Sequence, residues 1–285
     1  MPHGFMGWKS SWSCHAFTSA CLAATLSACA PEPPADIELG TFDYTNADWP
    51  SCRADSRSGP SPRSDDEAFD AATKISVRTP ANYDSSLQHP LIIVYAPATF
   101  NRFASEAHAG LTGIATAAGF IIAYVDSRRL SLNAIRELAN IPAAIANRWC
   151  VNQSRIYLTG HSDGGTVANA IAFLPDMPFR PRAIAPSAAG VRGEDMHDHA
   201  CPAPMPVFTL QNADDQLFPN FGRELSDWWA GCNQCSAPPS SIEPGCASYP
   251  DCTAAAETLI CTYPGGHRQW PDANRRIVDF FERTR

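Results

Sequence analysis

The stretch RIYLTGHSDGGTVANA, residues 155–170, decides the fold that we predict for this chain. It runs from β-branched and apolar residues through a glycine-rich turn into an alanine-rich segment, which predicts a strand, a sharp turn and a helix. Gly160, Ser162 and Gly164 lie at the turn with the spacing Gly-x-Ser-x-Gly, the pattern of a nucleophile elbow. Such a turn projects a serine hydroxyl from the end of a sheet, and the positive N-terminal end of the following helix favours negative charge beside it.

The segments on either side of this turn alternate between strands and helices. Residues 91–96 and 120–125 are continuous apolar runs, which are typical of buried parallel strands, whereas residues 75–79 alternate like a half-exposed strand. Pro142 lies inside a predicted helix and either kinks it or starts a new one. Strands that alternate with helices predict a mostly parallel sheet with helices on both faces. The remaining predicted strands are 155–159, 182–185, 206–210 and 258–262, and the predicted helices are 105–118, 132–149 and 272–282.

A segment rich in proline, serine and cysteine interrupts this alternation between Cys232 and Cys261. We predict that it is an excursion stapled by disulfides near the C-terminal part of the sheet. Active sites of open α/β folds lie at the carboxyl ends of the strands, so the excursion is a candidate for one wall of a cleft.

A nucleophilic serine requires a general base and an acid that orients the base. In hydrolases with this elbow, the acid and then a histidine follow the serine along the chain. His267 is the candidate base because it lies in a glycine-rich loop between the last strand and the last helix. Asp214 and Asp215 both follow the predicted strand 206–210, and each is a candidate acid.

The motifs around these residues resemble the polyhydroxybutyrate depolymerase and feruloyl esterase group of α/β hydrolases. The similarity covers residues 74–282, and Phe218 stands where the group has valine. It rests on GHSDGG at 160–165, on an aspartate four residues before Pro219, on GGH at 265–267 followed by Trp270-Pro271, and on CVNQSRIY at 150–157.

This resemblance implies the α/β-hydrolase fold and ester hydrolysis without a cofactor or a metal ion. It implies a catalytic triad of Ser162, Asp215 and His267, and the spacing favours Asp215 over Asp214. His267 then takes the proton of Ser162 during attack on the ester carbonyl, and water hydrolyses the resulting acyl-enzyme.

Two backbone N–H groups are expected to hold the oxyanion of this reaction. The N–H of Asp163, next to the nucleophile, is the first candidate. The related enzymes carry His-Gly after the first buried strand, but this chain reads YAPAT at residues 95–99. Pro97 has no N–H, so the second donor is Ala98 or Thr99, and we retain Ala98 as the candidate.

Two further side chains lie near the predicted site. A carboxylate at Asp163 would repel the oxyanion, so we expect it to point away from the cleft as a charge at the helix N-terminus. Trp270 is a candidate for substrate contact because it is close to His267 in the chain, and packing within the loop is the alternative.

The N-terminal residues predict export. Residues 16–28 form an apolar run that is too short for a membrane span and suits the core of a signal peptide. The sequence LSAC at residues 26–29 resembles a bacterial lipobox, which predicts lipidation of Cys29; ordinary cleavage near Ala28 or Ala30 is the alternative. Met6 is an alternative start. The mature protein is therefore expected to be extracytoplasmic, anchored to a membrane by lipid or secreted.

The cysteine count agrees with export. The chain has 11 cysteines, and eight remain after residue 29, an even number that predicts four disulfides of open connectivity. The predicted domains are a lipoprotein-type signal peptide at 1–28, a lipidated tether at 29–66 and an α/β-hydrolase domain at 67–285. A disulfide at Cys52 is expected to order part of the tether.

The net charge of −8 and the lack of a basic cluster argue against nucleic acid as a partner. The expected partners are an ester substrate, small or polymeric, and a membrane reached through the lipid anchor. His197, His199 and the pair Cys232 and Cys235 have metal-ligand residue types, but a solvated loop and disulfides are the favoured interpretations.

Three functional hypotheses remain from the sequence. The leading one is an exported serine esterase of the α/β-hydrolase fold. The alternatives are a serine peptidase on the same fold and a surface-anchored binding protein whose hydrolase site has decayed, since the usual His-Gly after the first buried strand is missing.

Overall fold

The computed structural model describes residues 37–52, 63–70, 72–253 and 256–284. The predicted signal peptide, Cys29 and both candidate start residues lie outside these ranges. Within these ranges, no helix has the length and apolar character needed to cross a membrane.

A single mixed sheet carries the structure, and its strands lie in the order β1-β2-β4-β3-β5-β6-β7-β10-β9-β8. The strands from β4 to β10 in this order are parallel, whereas β1, β2, β9 and β8 pair antiparallel at the two edges. The strands are β1 (Arg63–Ala68), β2 (Lys74–Arg78), β3 (His89–Tyr95), β4 (Ile121–Val125), β5 (Val151–His161), β6 (Ala183–Ser187), β7 (Val207–Asn212), β8 (Ser240–Glu243), β9 (Cys246–Tyr249) and β10 (Thr258–Tyr263).

Helices cover both faces of this sheet. Helices α1, α2 and α8 pack on one face, and α3, α4, α5 and α7 pack on the other, so that the predicted α/β-hydrolase architecture is confirmed. The helices are α1 (Arg102–Ala109), α2 (Thr112–Ala117), α3 (Leu132–Leu138), α4 (Ile141–Ala146), α5 (Asp163–Phe173), α6 (Gly193–Met196), α7 (Phe221–Cys232) and α8 (Asn274–Arg283).

Strand β3 shows why continuous apolar runs predict the centre of this sheet. Leu91 and Ile93 face the core beneath α3 to α5, whereas Ile92 and Val94 face the core beneath α1 and α8. Successive side chains of a strand point to opposite faces, so a strand covered by helices on both faces is apolar throughout.

Two predicted helices are each divided into two. The predicted helix 105–118 is interrupted at Gly110, which has φ 60° and ends α1 by donating its N–H to the carbonyl of Glu106. The predicted helix 132–149 consists of α3 and α4, and Pro142 lies in the first turn of α4. Of the two alternatives for Pro142, the start of a new helix is therefore correct.

The prediction that residues 75–79 form a half-exposed strand was wrong. In β2, both Ser76 and Arg78 are fully buried. The face that was expected to be solvated lies under α1, where Glu106 accepts hydrogen bonds from Arg78 Nε at 3.0 Å and Nη2 at 2.7 Å. A buried charge is tolerated where an opposite charge on the covering helix pairs with it, so the polar residue on this strand does not mark a solvated face.

The described part of the predicted tether is folded against the domain. Phe42 stacks on Trp49 with ring centroids 4.7 Å apart, and the N–H of Gly40 donates to Thr116 Oγ1 at 2.7 Å. Strand β1 begins at Arg63, before the predicted domain boundary at residue 67. Aromatic side chains thus supply apolar contacts within this segment.

Four disulfides join the eight cysteines that follow residue 29, as predicted. They are Cys52–Cys150, Cys201–Cys232, Cys235–Cys252 and Cys246–Cys261. The predicted Cys-rich excursion contains the hairpin of β8 and β9, which extends the sheet beyond β10. The first disulfide ties residues 37–52 to the residue that precedes β5.

Candidate active site

Ser162 occupies the sharp turn between β5 and α5 that the sequence predicts. Its backbone has φ 55° and ψ −119°, a conformation that is costly for a residue with a side chain. The N–H of Ser162 donates to the carbonyl of Ser187 at the end of β6, at 3.0 Å. The strained turn is thus held by the neighbouring strand, and the hydroxyl remains free for other contacts.

The glycines of the motif are required by close approach of the backbone. A Cβ atom at Gly164 would lie 2.0 Å from the carbonyl oxygen of Tyr95, at the end of β3. A Cβ at Gly160 would lie 2.6 Å from the same oxygen, and one at Gly165 would lie 2.5 Å from the carbonyl oxygen of Ser187. The start of α5 therefore fits between β3 and β6 only with glycine at these positions.

Ser162, His267 and Asp215 meet at the carboxyl ends of the parallel strands. Ser162 Oγ lies 2.9 Å from His267 Nε2, and His267 Nδ1 lies 2.8 Å from Asp215 Oδ2. A carboxylate only accepts, so Nδ1 carries the hydrogen and Nε2 is left as the acceptor for the serine hydroxyl. This arrangement suits transfer of the serine proton to His267.

Asp215 is buried, and its neighbour Asp214 is exposed. Oδ1 of Asp215 accepts hydrogen bonds from the N–H groups of Leu217 and Phe218, both at 2.9 Å. Burial alone raises the pKa of Asp215, but the hydrogen bonds from His267 and from Phe218 outweigh it and hold the pKa below its ordinary value. Asp215 is therefore charged at neutral pH, and it is the aspartate that the structure brings to His267.

The segment after β3, which contains the candidate for the second oxyanion donor, forms a turn. The N–H of Phe100 donates to the carbonyl of Pro97 at 3.1 Å, and Thr99 has φ 67°. Ala98 and Thr99 are exposed, and their N–H groups donate to no acceptor among the residues that the structure describes. Both N–H groups are therefore available, as is that of Asp163 in the first turn of α5.

The carboxylate of Asp163 lies near His267. Burial raises the pKa of Asp163, and the charge of His267 acts in the opposite direction. The expectation that this carboxylate points away from the cleft thus receives no support, because His267 is the base that faces Ser162.

Trp270 is half-buried, and its polar atom is used inside the protein. The indole N–H donates to Asn274 Oδ1 at 2.7 Å, and Nδ2 of Asn274 donates to the carbonyls of Ala109 and Gly110 at the end of α1. The Trp270 ring also packs against His108 and His161. Loop packing is therefore established, and substrate contact by Trp270 stays a prediction.

Several contacts of the site were not predicted from the sequence. The two ring nitrogens of His161 contact Ser187 Oγ and the carbonyl of His267. Asn212, at the end of β7, donates to two carbonyls of the loop that carries His267. The position of Asn212 directly after a buried strand was a signal that its side chain lies at the carboxyl edge of the sheet.

The residues with metal-ligand side chains make other contacts in the structure. In the described ranges, no group of three or more histidine, cysteine, aspartate or glutamate side chains is arranged to hold a metal ion. Cys232 and Cys235 belong to two different disulfides, and His199 packs against Phe173 with ring centroids 5.2 Å apart.

No family model matches the chain. The feruloyl esterase B of Piromyces equi is 25% identical to it over 227 residues, which are 68% of this chain and 42% of that protein. The chain thus spans about two fifths (42%) of the length of this curated relative. This similarity supports the esterase part of the predicted resemblance, and the likeness to polyhydroxybutyrate depolymerases stays a prediction.

Solved structures of esterases share the fold. The acetyl xylan esterase from Aspergillus awamori has a TM-score of 0.60 at 16% identity, covering 75% of this chain and 97% of that one. A thermophilic esterase from the Planctomycetes species Thermogutta terrifontis, in its butyrate-bound form, has a TM-score of 0.52 at 12% identity, covering 78% of this chain and 91% of that one. At these identities the comparison establishes the architecture.

Proposed function

We propose that this chain is an exported serine esterase that cleaves acyl groups, of the feruloyl or acetyl kind, from carbohydrate esters. The observation that carries the proposal is the chain of two hydrogen bonds from Ser162 through His267 to Asp215, built on a strained elbow. The similarity to a feruloyl esterase and the shared fold of an acetyl xylan esterase favour these acyl groups over hydroxyalkanoates.

The proposed reaction proceeds through an acyl-enzyme. Ser162 Oγ forms a bond to the ester carbonyl carbon while its proton passes to His267 Nε2, and Asp215 holds the imidazolium. The proton then passes to the leaving alcohol as the ester C–O bond breaks. Water then attacks the acyl carbon while its proton passes to His267, the bond between that carbon and Ser162 Oγ breaks, and the proton returns from His267 to Oγ as the acid leaves.

The developing oxyanion is assigned to the N–H groups of Asp163 and Ala98. Two features support this assignment: Asp163 opens α5, whose N-terminal end carries partial positive charge, and the Ala98 N–H has no acceptor among the described residues. A single donor of this kind contributes roughly 3–4 kcal/mol to lowering the barrier. Trp270, beside His267, is the proposed contact for the substrate.

We propose export because of the apolar run at residues 16–28 and the even number of cysteines after residue 29, and the disulfides of the structure support this proposal. Four disulfides form and persist in oxidising compartments, which agrees with an extracytoplasmic protein. Lipidation at Cys29 and membrane anchoring remain part of the proposal.

The test is hydrolysis of p-nitrophenyl acetate, a feruloylated oligosaccharide, an acetylated xylan and a hydroxybutyrate ester by oxidised, folded protein. Ser162→Ala is expected to abolish turnover and labelling by a fluorophosphonate. Ser154→Ala is the matched control, because this exposed serine lies on the same strand at the opposite end. Turnover that survives in Ser162→Ala would refute the serine mechanism.

The same panel separates the alternatives. Cleavage of peptide amides in preference to esters would indicate a peptidase. If folded wild-type protein neither turns over an ester nor reacts with the fluorophosphonate, it is a binding protein with a decayed site.

A further inference from the structure

The loop between β10 and α8, residues 264–270, carries His267, and its backbone is held by other parts of the protein. The carbonyl of Gly265 accepts a hydrogen bond from the N–H of Asp214 at 2.9 Å. The N–H of Gly266 donates to Gln269 Oε1 at 2.7 Å, within the loop itself. Three other carbonyls of the loop accept hydrogen bonds from side chains of β5 and β7.

One of these side chains is His161, which immediately precedes the serine. Its Nε2 lies 2.5 Å from the carbonyl oxygen of His267, and its Nδ1 lies 2.9 Å from Ser187 Oγ. A carbonyl only accepts, so Nε2 carries the hydrogen, and Nδ1 of the neutral ring accepts from the Ser187 hydroxyl. The contacts therefore fix a single tautomer of His161.

The surroundings of His161 favour this neutral form. The residue is 2% exposed, and burial, with His108 and His267 nearby, lowers its pKa to about 4 in spite of its hydrogen bond to the His267 carbonyl and the charge of Asp215. A neutral ring with its proton on Nε2 is thus the form present at neutral pH. It is unsuited to act as a second base, because its unprotonated nitrogen faces Ser187.

The second side chain is Asn212, the last residue of β7. Its Nδ2 group donates to the carbonyl of Gly266 at 2.9 Å and to that of Gln269 at 2.6 Å. Asn212 is 1% exposed. Together, His161 and Asn212 hold the carbonyls of Gly266, His267 and Gln269.

We propose that His161 and Asn212 are positioning residues that hold the loop of residues 264–270, so that the His267 imidazole faces both Ser162 and Asp215. The inference rests on the proposed function, and neither side chain touches the reacting atoms. Three fixed carbonyls determine the backbone torsions around His267 and thereby the direction of its Cα–Cβ bond. Ser187 connects the turn of Ser162 to His161, because its carbonyl accepts from the Ser162 N–H and its hydroxyl donates to His161 Nδ1.

The kinetic test compares His161→Leu with His161→Gln. Leucine removes the donor to the His267 carbonyl, and a misplacement of the base by about 1 Å is expected to lower kcat roughly a hundredfold with KM within about twofold. Glutamine carries an N–H at a similar distance along its side chain and is expected to recover at least a tenth of wild-type kcat. His197→Leu, on an exposed loop after α6, is the control and retains wild-type kcat.

Asn212→Asp tests the second contact, because a carboxylate of the same shape cannot donate to the two carbonyls. It is expected to lower kcat in the same way. In the double variant with His161→Leu, the loss is expected to be smaller than the product of the two single losses, since both act through one loop.

The tautomer of His161 in the wild-type protein can be measured without turnover. Nitrogen-15 NMR of the histidine rings is expected to show His161 with its proton on Nε2 at pH 7, assigned by the loss of its signals in His161→Gln. The low-field proton between His267 and Asp215 is expected to be present in wild type and in His161→Gln, and lost in His161→Leu.

The proposal is overturned if wild-type His161 carries its proton on Nδ1, or if His161→Leu and His161→Gln have the same kcat and the same low-field signal. An inactive wild type with the predicted tautomer would refute the esterase function and leave the contact itself confirmed. An active wild type, inactivated by Ser162→Ala but not by His161→Leu, would refute only the positioning role.

Discussion

At the scale of single residues, Asp214 and Asp215 are adjacent in the chain and differ completely in environment. Asp215→Asn is expected to lower kcat roughly ten-thousandfold with the fold intact, because an amide facing His267 favours the wrong tautomer of the base. Asp214→Asn is the matched control and is expected to keep wild-type kcat, since its side chain is exposed. Ester kinetics on the two variants check this; equal losses would contradict the assignment of Asp215.

The members of the candidate triad could be predicted from the sequence, but the side chains that hold the loop of His267 could not. Ser162 and His267 were predicted from their positions in turns after predicted strands, whereas Asp215 was preferred to Asp214 only through the spacing of the family that the chain resembles. The position of Asn212 after a predicted strand indicates only that it lies at the carboxyl edge of the sheet; the carbonyls to which it donates are recognised only when the facing loop is known. The same holds for His161, whose role depends on a carbonyl 106 residues away in sequence.

At the scale of elements, the junction of β5 and α5 gives a prediction about stability. Gly164→Ala is expected to prevent folding or to lower the free energy of unfolding severely, because its Cβ would lie 2.0 Å from the Tyr95 carbonyl oxygen. Gly231→Ala, within α7, is the control: a Cβ there meets nothing within 4 Å. Alanine at that position is expected to raise the free energy of unfolding by about 0.5–1 kcal/mol. Chemical denaturation of both variants measures their free energies of unfolding, and equal changes in the two variants would contradict the prediction.

The disulfides give a graded prediction. The chain between Cys52 and Cys150 spans 98 residues, and that between Cys246 and Cys261 spans 15. Replacing the first pair by alanine is expected to lower the free energy of unfolding by about 5 kcal/mol and replacing the second by about 3 kcal/mol, because the longer loop gains more entropy in the unfolded state. Denaturation of the two double variants measures this order, and the reverse order would point to effects in the folded state.

Element types were predictable from periodicity, but their lengths and exposure were not. Strand β5 begins at Val151, four residues earlier than predicted, because pairing with β3 reaches back to His89. Gly110 ends α1 by adopting a left-handed conformation that an apolar pattern does not reveal. The burial of Arg78 depended on Glu106 in another element, a long-range contact outside the reach of local patterns.

At the scale of the whole molecule, buried neutral histidines predict weaker stability in acid. Burial lowers the pKa of His161 from 6.5 to about 4, and it lowers the pKa values of His89 and His108 as well. Between pH 6.5 and 4 the unfolded chain therefore binds protons that the folded chain excludes, so that stability falls as the pH falls. His161 alone is expected to cost about 2 kcal/mol at pH 5 relative to pH 7.

Denaturation midpoints at pH 7 and pH 5 test this. The difference is expected to be smaller in His161→Gln, which has no titrating ring. A midpoint that stays constant or rises at pH 5 would contradict the prediction.

The Cys52–Cys150 disulfide and Ser162 lie at opposite ends of strand β5. Cys52 is bonded to Cys150, just before the first residue of β5, and Ser162 follows the last. The 11 residues of this strand separate the two ends by about 36 Å. A support coupled at the exposed Ser51, next to Cys52, would thus be attached on the far side from the serine. Protein immobilised in this way would keep Ser162 turned away from the support.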